Sequence, residues 1–300
     1  MIISASRRTD IPAFYAEWFM NRIRAGYCVV PNPFNRTQAS SISLKPEDVD
    51  VIVFWTRNPK PLLPFLPELD RRGIRYYFQY TLLNNPPELD PHVPRLESAL
   101  RTFQELAGQI GPQKVIWRYD PIVFSLKTDV HFHLRSYRQI AGALQGSTLR
   151  SVISLVDSYR KTHKRMEEFA RQGMEILAYT EQSLPWLADL MRNLTGIAHD
   201  NGMEIVSCAE EIDLQPYGIR PGKCIDDEYI AQLFGLEVTH RKDKSQRKAC
   251  GCVESRDIGM YDTCVSGCRY CYATSSFERA RNHLRKHDPT SPFLINVRSG

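Results

Sequence analysis

The chain alternates between short apolar segments and longer amphipathic ones along most of its length. Runs rich in β-branched and aromatic residues, which are typical of strands, cover 1–6, 49–55, 74–82, 114–119, 149–156 and 203–208. Segments with apolar residues at helical spacing lie between them, at 12–25, 61–72, 92–109, 130–144 and 184–200. This alternation predicts the α/β class, in which helices cover a sheet of parallel strands. The units fit a partial (β/α)6 TIM-like barrel, and a doubly wound sheet is the alternative because periodicity does not determine strand order.

A change in composition near residue 238 predicts two parts. In this interpretation residues 1–238 form the barrel, and 239–300 form a cysteine-rich, cluster-binding extension packed on the barrel mouth. The extension contains two basic runs, at 241–248 and 279–286. It also contains a helix-like segment at 275–286 and a strand-like segment at 293–297. Its few apolar residues predict that it depends on metal binding and on packing against the barrel.

Three cysteines of the extension have the spacing C-x3-C-x2-C. They are Cys264, Cys268 and Cys271, and Tyr270 directly precedes the last of them. Three thiolates this close together can hold three irons of a cubane [4Fe–4S] cluster and leave the fourth iron without a protein ligand. An open iron provides a place for a substrate or a cofactor. A zinc knuckle is the alternative, because C-x2-C alone is also typical of zinc sites.

This motif, with its aromatic residue, resembles the cluster motif of radical S-adenosylmethionine enzymes. The whole chain resembles an uncharacterised, mostly bacterial family whose C-terminal cysteines mimic the motif that those enzymes usually carry near the N-terminus, after the first barrel strand. The matching segments are 6–12 (SRRTDIP), 54–59 (FWTRNP), 118–121 (RYDP) and 257–261 (DIGMY).

The resemblance implies cofactors, a partner and a role for one aromatic residue. In the superfamily the amino and carboxylate groups of S-adenosylmethionine chelate the open iron of the [4Fe–4S] cluster. An electron then cleaves the sulfonium to give a 5′-deoxyadenosyl radical. The resemblance further implies that Tyr270 lies near the adenine, and that a low-potential donor such as flavodoxin or ferredoxin supplies the electron.

Polar residues stand at the end of every predicted strand. In parallel α/β barrels these positions meet at the carboxyl-terminal face, where functional groups collect. The candidate catalytic residues are Arg7, Arg8, Asp10, Arg57, Arg118, Asp120 and Glu210, and the candidate cofactor-binding residues are Tyr270, Arg118 and Ser154. The other polar residues at these exits are Thr9, Thr56, Asn58, Gln79, Thr81, Asn84, Asp157, Cys208 and Glu211. The arginines predict a cationic face that suits the carboxylate of the cofactor, an anionic substrate, or both.

Four further cysteines form a candidate second metal site. Cys208 ends the sixth predicted strand, Cys224 follows a Pro-Gly turn, and Cys250 and Cys252 lie in the extension. Four thiolates from neighbouring loops suit structural zinc or an auxiliary iron–sulfur cluster. The alternative is that some of them are small buried apolar residues, and we expect this for Cys28.

Composition restricts the cellular setting. No apolar run reaches the roughly 18–20 residues of a membrane span, and the N-terminus turns polar after Met1-Ile2-Ile3, which is unlike a secretory signal. We therefore expect a cytoplasmic protein whose eight cysteines are kept reduced.

The favoured function is radical chemistry started by cleavage of S-adenosylmethionine on a substrate that the sequence does not identify. One alternative is a zinc- or cluster-stabilised nucleic-acid-binding protein, since the net charge is +5 and the basic runs flank the cysteines. The other is a barrel hydrolase or lyase that uses Asp10, Asp120, Asp157 and Glu210, with purely structural cysteines. The first alternative lacks exposed aromatic residues among its basic ones, and the second lacks a histidine at any predicted strand exit.

Overall fold

One parallel sheet organises the computed structural model of the chain, which describes residues 1–32, 35, 38–156, 162–171, 176–177 and 184–296. Its strands are β1 Ile2–Ala5, β4 Val51–Thr56, β5 Tyr76–Thr81, β6 Val115–Ile122, β7 Arg150–Leu155, β8 Glu204–Cys208, β9 Arg220–Gly222 and β10 Arg256–Asp257. These eight strands have the order β10–β1–β4–β5–β6–β7–β8–β9. A separate antiparallel hairpin pairs β2 Tyr27–Pro31 with β3 Ala39–Ser43.

Helices connect most of the strands. Within the described residues they are α1 Ile11–Phe14, α2 Ala16–Ala25, α3 Leu66–Arg71, α4 Leu96–Ile110, α5 Val130–Leu144, α6 His163–Arg171, α7 Leu184–Asp200, α8 Asp227–Phe234 and α9 Phe277–Arg285. Several begin at a residue whose side chain accepts a hydrogen bond from an otherwise unpaired backbone N–H. Asp129 caps α5 through Phe132 N at 2.7 Å, and Asp226 caps α8 through Tyr229 N at 3.1 Å.

Alternate side chains of the strands point to opposite faces of the sheet, and each face has its own apolar cluster. On the helix-covered face, Phe54 stacks on Phe78 with ring centroids 4.8 Å apart. Phe19 of α2 meets Phe54 edge-on at 5.2 Å. The first strands are thus held to their helices by aromatic packing as well as by burial.

The opposite face of the sheet curls around residues that follow β9. The Tyr77 hydroxyl and the Gln79 amide, both on β5, donate to the carbonyl of Cys224 at 2.8 and 2.9 Å. Because β5 and β9 stand four places apart in the sheet order, these contacts require strong curvature. The strands still form an open sheet, since β9 and β10 are its two edges. Val253, just before β10, donates to the carbonyl of Ile225 at 3.2 Å and so links the two edge regions.

The predicted α/β class is confirmed, and so are the six predicted strands. The predicted helix 12–25 is divided into α1 and α2 at Tyr15, and the segment 61–72 begins with a 3-10 turn at Leu63–Phe65. The sequence did not predict the β2–β3 hairpin, α6, α8, β9 or β10.

The C-terminal part is spread over the molecule. Strand β10 pairs in parallel with β1, with Ile3 opposite Arg256. Farther along, the Trp18 indole on α2 donates to Ser291 O at 3.0 Å. Phe293 forms an isolated bridge with Val29 of β2 at the start of the predicted strand 293–297, whose last residue lies outside the described residues. None of the helices in the described ranges is long and apolar enough to span a bilayer.

Candidate active site

A cavity of about 440 Å³ opens at the carboxyl end of the sheet. Its walls come from the loops after β1, β4, β6, β7, β8 and β9 and from the segments around β10. Seven of the eight cysteines line it: Cys208, Cys224, Cys250, Cys252, Cys264, Cys268 and Cys271. The eighth, Cys28, is buried in β2, where desolvation raises the pKa of its thiol to about 12. Residues 6–10, near the start of the chain, and residues from 245 to 273 thus meet at this cavity.

Cys264, Cys268 and Cys271, here called the triad, follow β10. Cys268 is 7% exposed, and the backbone N–H of Cys271 donates to its carbonyl at 3.2 Å. Burial raises the pKa of the Cys264 thiol to about 12, and the nearby Asp10 and Cys271 add to the effect. Burial likewise raises the pKa of Cys268 well above its usual value. Without a bound metal ion, the thiols of Cys264 and Cys268 therefore hold their protons.

A buried ion pair supports the triad from the side of β4 and β5. Arg57, just after β4, donates to both carboxylate oxygens of Asp90 at 2.9 and 3.0 Å. The same guanidinium donates to Cys268 Sγ at 3.1 Å and to the Tyr270 hydroxyl at 2.8 Å. Tyr270 in turn donates to Asp90. The hydroxyl of Tyr270 is thus committed to this network, while its side chain still lines the cavity.

Asp257, which ends β10, organises the loop after β1. Its carboxylate accepts hydrogen bonds from Ser4 Oγ and Ser6 Oγ at 2.8 and 2.7 Å, and from the backbone of Arg7 at 2.9 Å. The Arg8 side chain pairs with the same carboxylate at 3.0 Å. Burial opposes ionisation, but Arg8 and these donors together lower the pKa of Asp257. The carboxylate therefore fixes the two first-loop arginines relative to β10.

The four remaining cavity cysteines, here called the cysteine quartet, are in mutual contact. Cys208 Sγ lies 3.0 Å from Cys224 Sγ. Hydrogen bonding by the neighbouring thiols of Cys224 and Cys250 lowers the pKa of Cys252. Cys252 Sγ also accepts hydrogen bonds from the backbone N–H groups of Cys224 and Ile225 at 3.3 and 3.4 Å.

The quartet has a cationic neighbour in Arg118 of β6. The Arg118 guanidinium donates to Cys224 Sγ at 2.8 Å and to the Gln79 side chain at 3.2 Å. Hydrogen bonding by Cys224 lowers the pKa of Cys208, and the charge of Arg118 acts in the same direction against burial. The Cys208 thiol therefore ionises more readily than those of Cys224 and Cys250, because hydrogen bonds with neighbouring quartet cysteines raise the pKa of both.

Arg118 continues into a chain of polar contacts that joins β6 to β7. Its other terminal nitrogen pairs with Asp120, and the Ser154 hydroxyl donates to the same carboxylate. All three residues line the cavity. This chain holds Asp120 between an arginine and a hydroxyl, so the carboxylate is oriented by both neighbours.

Two buried polar atoms of the cavity wall lack a hydrogen-bond partner among the described residues. They are Arg7 Nη2 and the hydroxyl of Thr9. The Arg7 guanidinium lies over the Trp55 ring at 5.1 Å and 3.7 Å from Asp243. Burial lowers the pKa of Arg7, but the neighbouring acidic groups of Cys252, Cys224 and Asp257 outweigh it and raise that pKa. An anionic ligand in the cavity would satisfy both orphaned groups.

The remaining candidates serve mainly to hold the backbone. Asp10 caps α1 through Ala13 N at 3.1 Å and accepts from Arg57 N at 2.7 Å, and burial raises its pKa to about 6. Glu210 accepts from Leu155 N at 2.8 Å. Asp157 lies outside the described residues.

Two carboxylates of the site were missed from the sequence. Asp90 lies in the long loop after β5, and Asp257 follows no predicted strand. The only signal for Asp257 was its place at the start of the segment 257–261. In the part of the chain that the structure describes, no three His, Cys, Asp or Glu side chains already surround one metal-sized point.

A comparison with protein families identifies the family of the chain. The model described as "Domain of unknown function (DUF1848)" matches residues 2–273, which is most of the chain. A comparison with curated proteins gives no match.

Proposed function

The chain belongs to the DUF1848 family, whose function is unknown, and we propose that it is a radical S-adenosylmethionine enzyme that acts on a substrate bound in the cavity. The observation that carries the proposal is the place of the triad. Cys264, Cys268 and Cys271 follow β10, a strand at the edge of the parallel sheet, and line the cavity at the carboxyl end of that sheet.

This position explains how the motif can act from near the C-terminus of the sequence, although radical S-adenosylmethionine enzymes usually carry it near the N-terminus. In the superfamily that the motif resembles, the cysteines follow the first strand of the barrel. Here β10 pairs in parallel with β1, so that it stands before β1 in space although it comes last among the strands in sequence. We propose that the curled sheet is a partial (β/α) barrel in which β10 takes the place of the first strand.

The residues present fit a cluster that has one open iron. Three cysteines of the motif face the cavity together, and their thiols lie close enough for Cys264 and Cys271 to affect the pKa of Cys268. The hydrogen bond from Arg57 to Cys268 Sγ at 3.1 Å is of the kind that tunes iron–sulfur clusters. The other four cavity cysteines contact one another, which leaves three for the cluster.

The cavity also fits a cofactor that carries a carboxylate group. Its volume of about 440 Å³ lies in the usual range for small-molecule sites. The orphaned donors Arg7 Nη2 and Thr9 Oγ1 suit a carboxylate such as that of S-adenosylmethionine. Because the Tyr270 hydroxyl is bound to Arg57 and Asp90, the ring rather than the hydroxyl is available to a ligand.

When bound, a cluster of this type supplies the electron that cleaves the sulfonium of S-adenosylmethionine. The chain's own residues bind and orient the reacting groups. Arg57 and Asp90 hold the loop of Cys268, and Arg118 and Ser154 orient Asp120 at the cavity wall. A low-potential protein donor such as flavodoxin or ferredoxin is the expected source of the electron.

The test is anaerobic reconstitution with iron and sulfide, followed by incubation with dithionite and S-adenosylmethionine. We expect about four irons per chain, formation of 5′-deoxyadenosine, and a change in the electron paramagnetic resonance signal of the reduced protein when the cofactor binds. Replacing Cys264, Cys268 and Cys271 together with alanine should abolish all three. The matched control is Cys28→Ala, because Cys28 is buried away from the cavity.

Two results would overturn the proposal. One is a reconstituted chain that holds zinc but no iron at the triad. The other is a cluster whose resonance signal is unchanged at saturating cofactor, because the fourth iron would then already have a protein ligand.

A further inference from the structure

The cysteine quartet brings together parts of the chain that are distant in sequence. Cys208 ends β8, Cys224 follows β9, and Cys250 and Cys252 precede β10. All four line the cavity, and three of them are at most 8% exposed: Cys224, Cys250 and Cys252. Packing alone gives no reason for four thiols to meet in one buried place, whereas a structural zinc site with four cysteine ligands uses this residue type in this number.

The contacts within the quartet favour one metal ion over a cluster. Each thiol contacts at least one other in the series Cys208, Cys224, Cys252, Cys250. Zinc–sulfur bonds of about 2.3 Å place the sulfurs of a tetrahedral site ~3.8 Å apart. The Cys208–Cys224 separation of 3.0 Å is shorter than this, so at least one of the two side chains has to rotate when the ion binds. A cubane cluster would instead hold its four cysteine sulfurs well out of contact with one another.

The surroundings of the quartet are those of a thiolate site. Cys252 Sγ accepts from two consecutive backbone N–H groups, at Cys224 and Ile225. The Arg118 guanidinium donates to Cys224 Sγ at 2.8 Å, and the buried Arg7 guanidinium adjoins Cys252 and Cys224. Such donors around the ligands orient the sulfurs and stabilise the negative charge of a tetrathiolate complex.

We propose that Cys208, Cys224, Cys250 and Cys252 bind one zinc ion as a structural site that is separate from the triad. Binding releases the thiol protons to solvent, and the ion joins the end of β8, the loop after β9 and the segment before β10. It thereby closes the gap between the two edges of the sheet beside the cavity. The proposal does not depend on the radical function, because it involves none of the triad cysteines.

The test is elemental analysis of the complete chain, purified without chelator. We expect about one zinc ion per chain. Cys224→Ser and Cys252→Ser should each lose the zinc, whereas Cys28→Ser, a buried cysteine elsewhere in the molecule, should keep it. The triple Cys264, Cys268 and Cys271→Ala variant should lose iron and keep zinc, which separates this site from the proposed cluster.

A second measurement covers the case in which the quartet variants do not fold. Wild-type chain grown with cobalt should show the visible bands of tetrahedral cobalt bound to four thiolates, and zinc should remove them. A wild-type chain that takes up neither zinc nor cobalt would overturn the proposal. Iron in excess of the four irons expected at the triad, lost when Cys252 is replaced, would also overturn it. A disulfide between Cys208 and Cys224 in anaerobically purified protein would do the same.

Discussion

Arg57 and Asp90 form the most deeply buried ion pair beside the triad, with side-chain exposures of 13% and 1%. Removing one member of such a pair leaves an uncompensated charge in the interior, which typically costs about 3–5 kcal/mol. Arg24 and Glu68 provide a comparison at the surface, where the exposures are 43% and 21%. Surface pairs contribute only about 0–1 kcal/mol.

The first prediction compares these two pairs. Arg57→Met should lower the free energy of unfolding by about 3–5 kcal/mol, because Asp90 stays buried without its partner. Arg24→Met, the same substitution in the exposed ion pair with Glu68, should lower the free energy of unfolding by less than about 1 kcal/mol. Urea unfolding at neutral pH measures both. Equal losses in the two variants would show that Asp90 is rehydrated or protonated at little cost.

The second prediction concerns His133, which is fully buried in α5 between the Tyr119 hydroxyl and the carbonyl of Val123. Burial lowers its pKa to about 4. Since the unfolded chain takes up this proton at about pH 6.5, stability is complete above pH 6.5 and falls as the pH drops toward 4. The loss attributable to His133 should reach about 2 kcal/mol at pH 5.

The measurement is the free energy of unfolding at pH 7.5 and at pH 5. His133→Gln should show a smaller difference between the two pH values than the wild type does. His131→Gln, on the exposed side of the same helix, should reproduce the wild-type difference. An identical pH dependence in all three chains would mean that His133 is hydrated in the folded state.

Among the elements, β10 and the segment after it leave the least room for change. A Cβ atom on Gly259 would lie 2.0 Å from Ser6 Oγ and 2.6 Å from Ser6 Cβ. Ser6 cannot move freely, because its hydroxyl is bound to Asp257 at 2.7 Å. The glycine therefore lets the chain after β10 approach the loop after β1.

The third prediction follows from this close approach. Gly259→Ala should displace Ser6 from Asp257 and destabilise the chain by about 1–3 kcal/mol. In the reconstituted protein it should also lower the iron content. The control is Gly108→Ala on α4, where a Cβ would meet nothing within 4 Å, and where alanine should be neutral or stabilising by up to about 1 kcal/mol. Thermal unfolding of both variants tests the contrast.

The periodicity of the sequence predicted the long elements and missed the short ones. Strands of four or more residues with β-branched and aromatic side chains, such as β4 and β7, carry a clear pattern. Strand β9 is Arg220–Gly222 and strand β10 is Arg256–Asp257, and two or three residues without an apolar run carry none. The positions of β9 and β10 depend on contacts between residues far apart in the sequence, which no local pattern encodes. One such contact joins the carboxylate of Asp257 to the loop after β1.

The same limit applies to the site. Cysteine spacing and polar strand exits indicated most of the residues that line the cavity. Asp90 was missed because its role depends on Arg57, which is 33 positions away in the sequence. The contacts among the four quartet cysteines likewise require the sheet to curl, and curvature is a property of the whole sheet.

At the scale of the molecule, β10 ties the C-terminal part to the core of the fold. The fourth prediction is that a chain ended after residue 238 will not unfold cooperatively. Such a chain would lose Asp257 and with it the partner of Ser4, Ser6 and Arg8. It would also lose the hydrogen bond from Val253 to Ile225. Near-ultraviolet circular dichroism and urea unfolding, compared with the complete chain, are the measurements.

A cooperative transition in the shortened chain, with native near-ultraviolet signals, would contradict this prediction. It would show instead that residues 1–238 form an autonomous domain and that the rest is an addition to it.

The pairing of β1 with β10 also orders events during synthesis. Ser4 and its partner Asp257 are 253 positions apart. At about 5–20 residues per second, on the order of 10–50 s pass on the ribosome between the appearance of the two residues. Throughout that time the first strand has an unpaired edge, the kind of surface on which nascent chains associate wrongly. The wall of the cavity is therefore completed only after residue 257 has been synthesised, and a chain released before that point carries most of the sheet but lacks Asp257 and the triad.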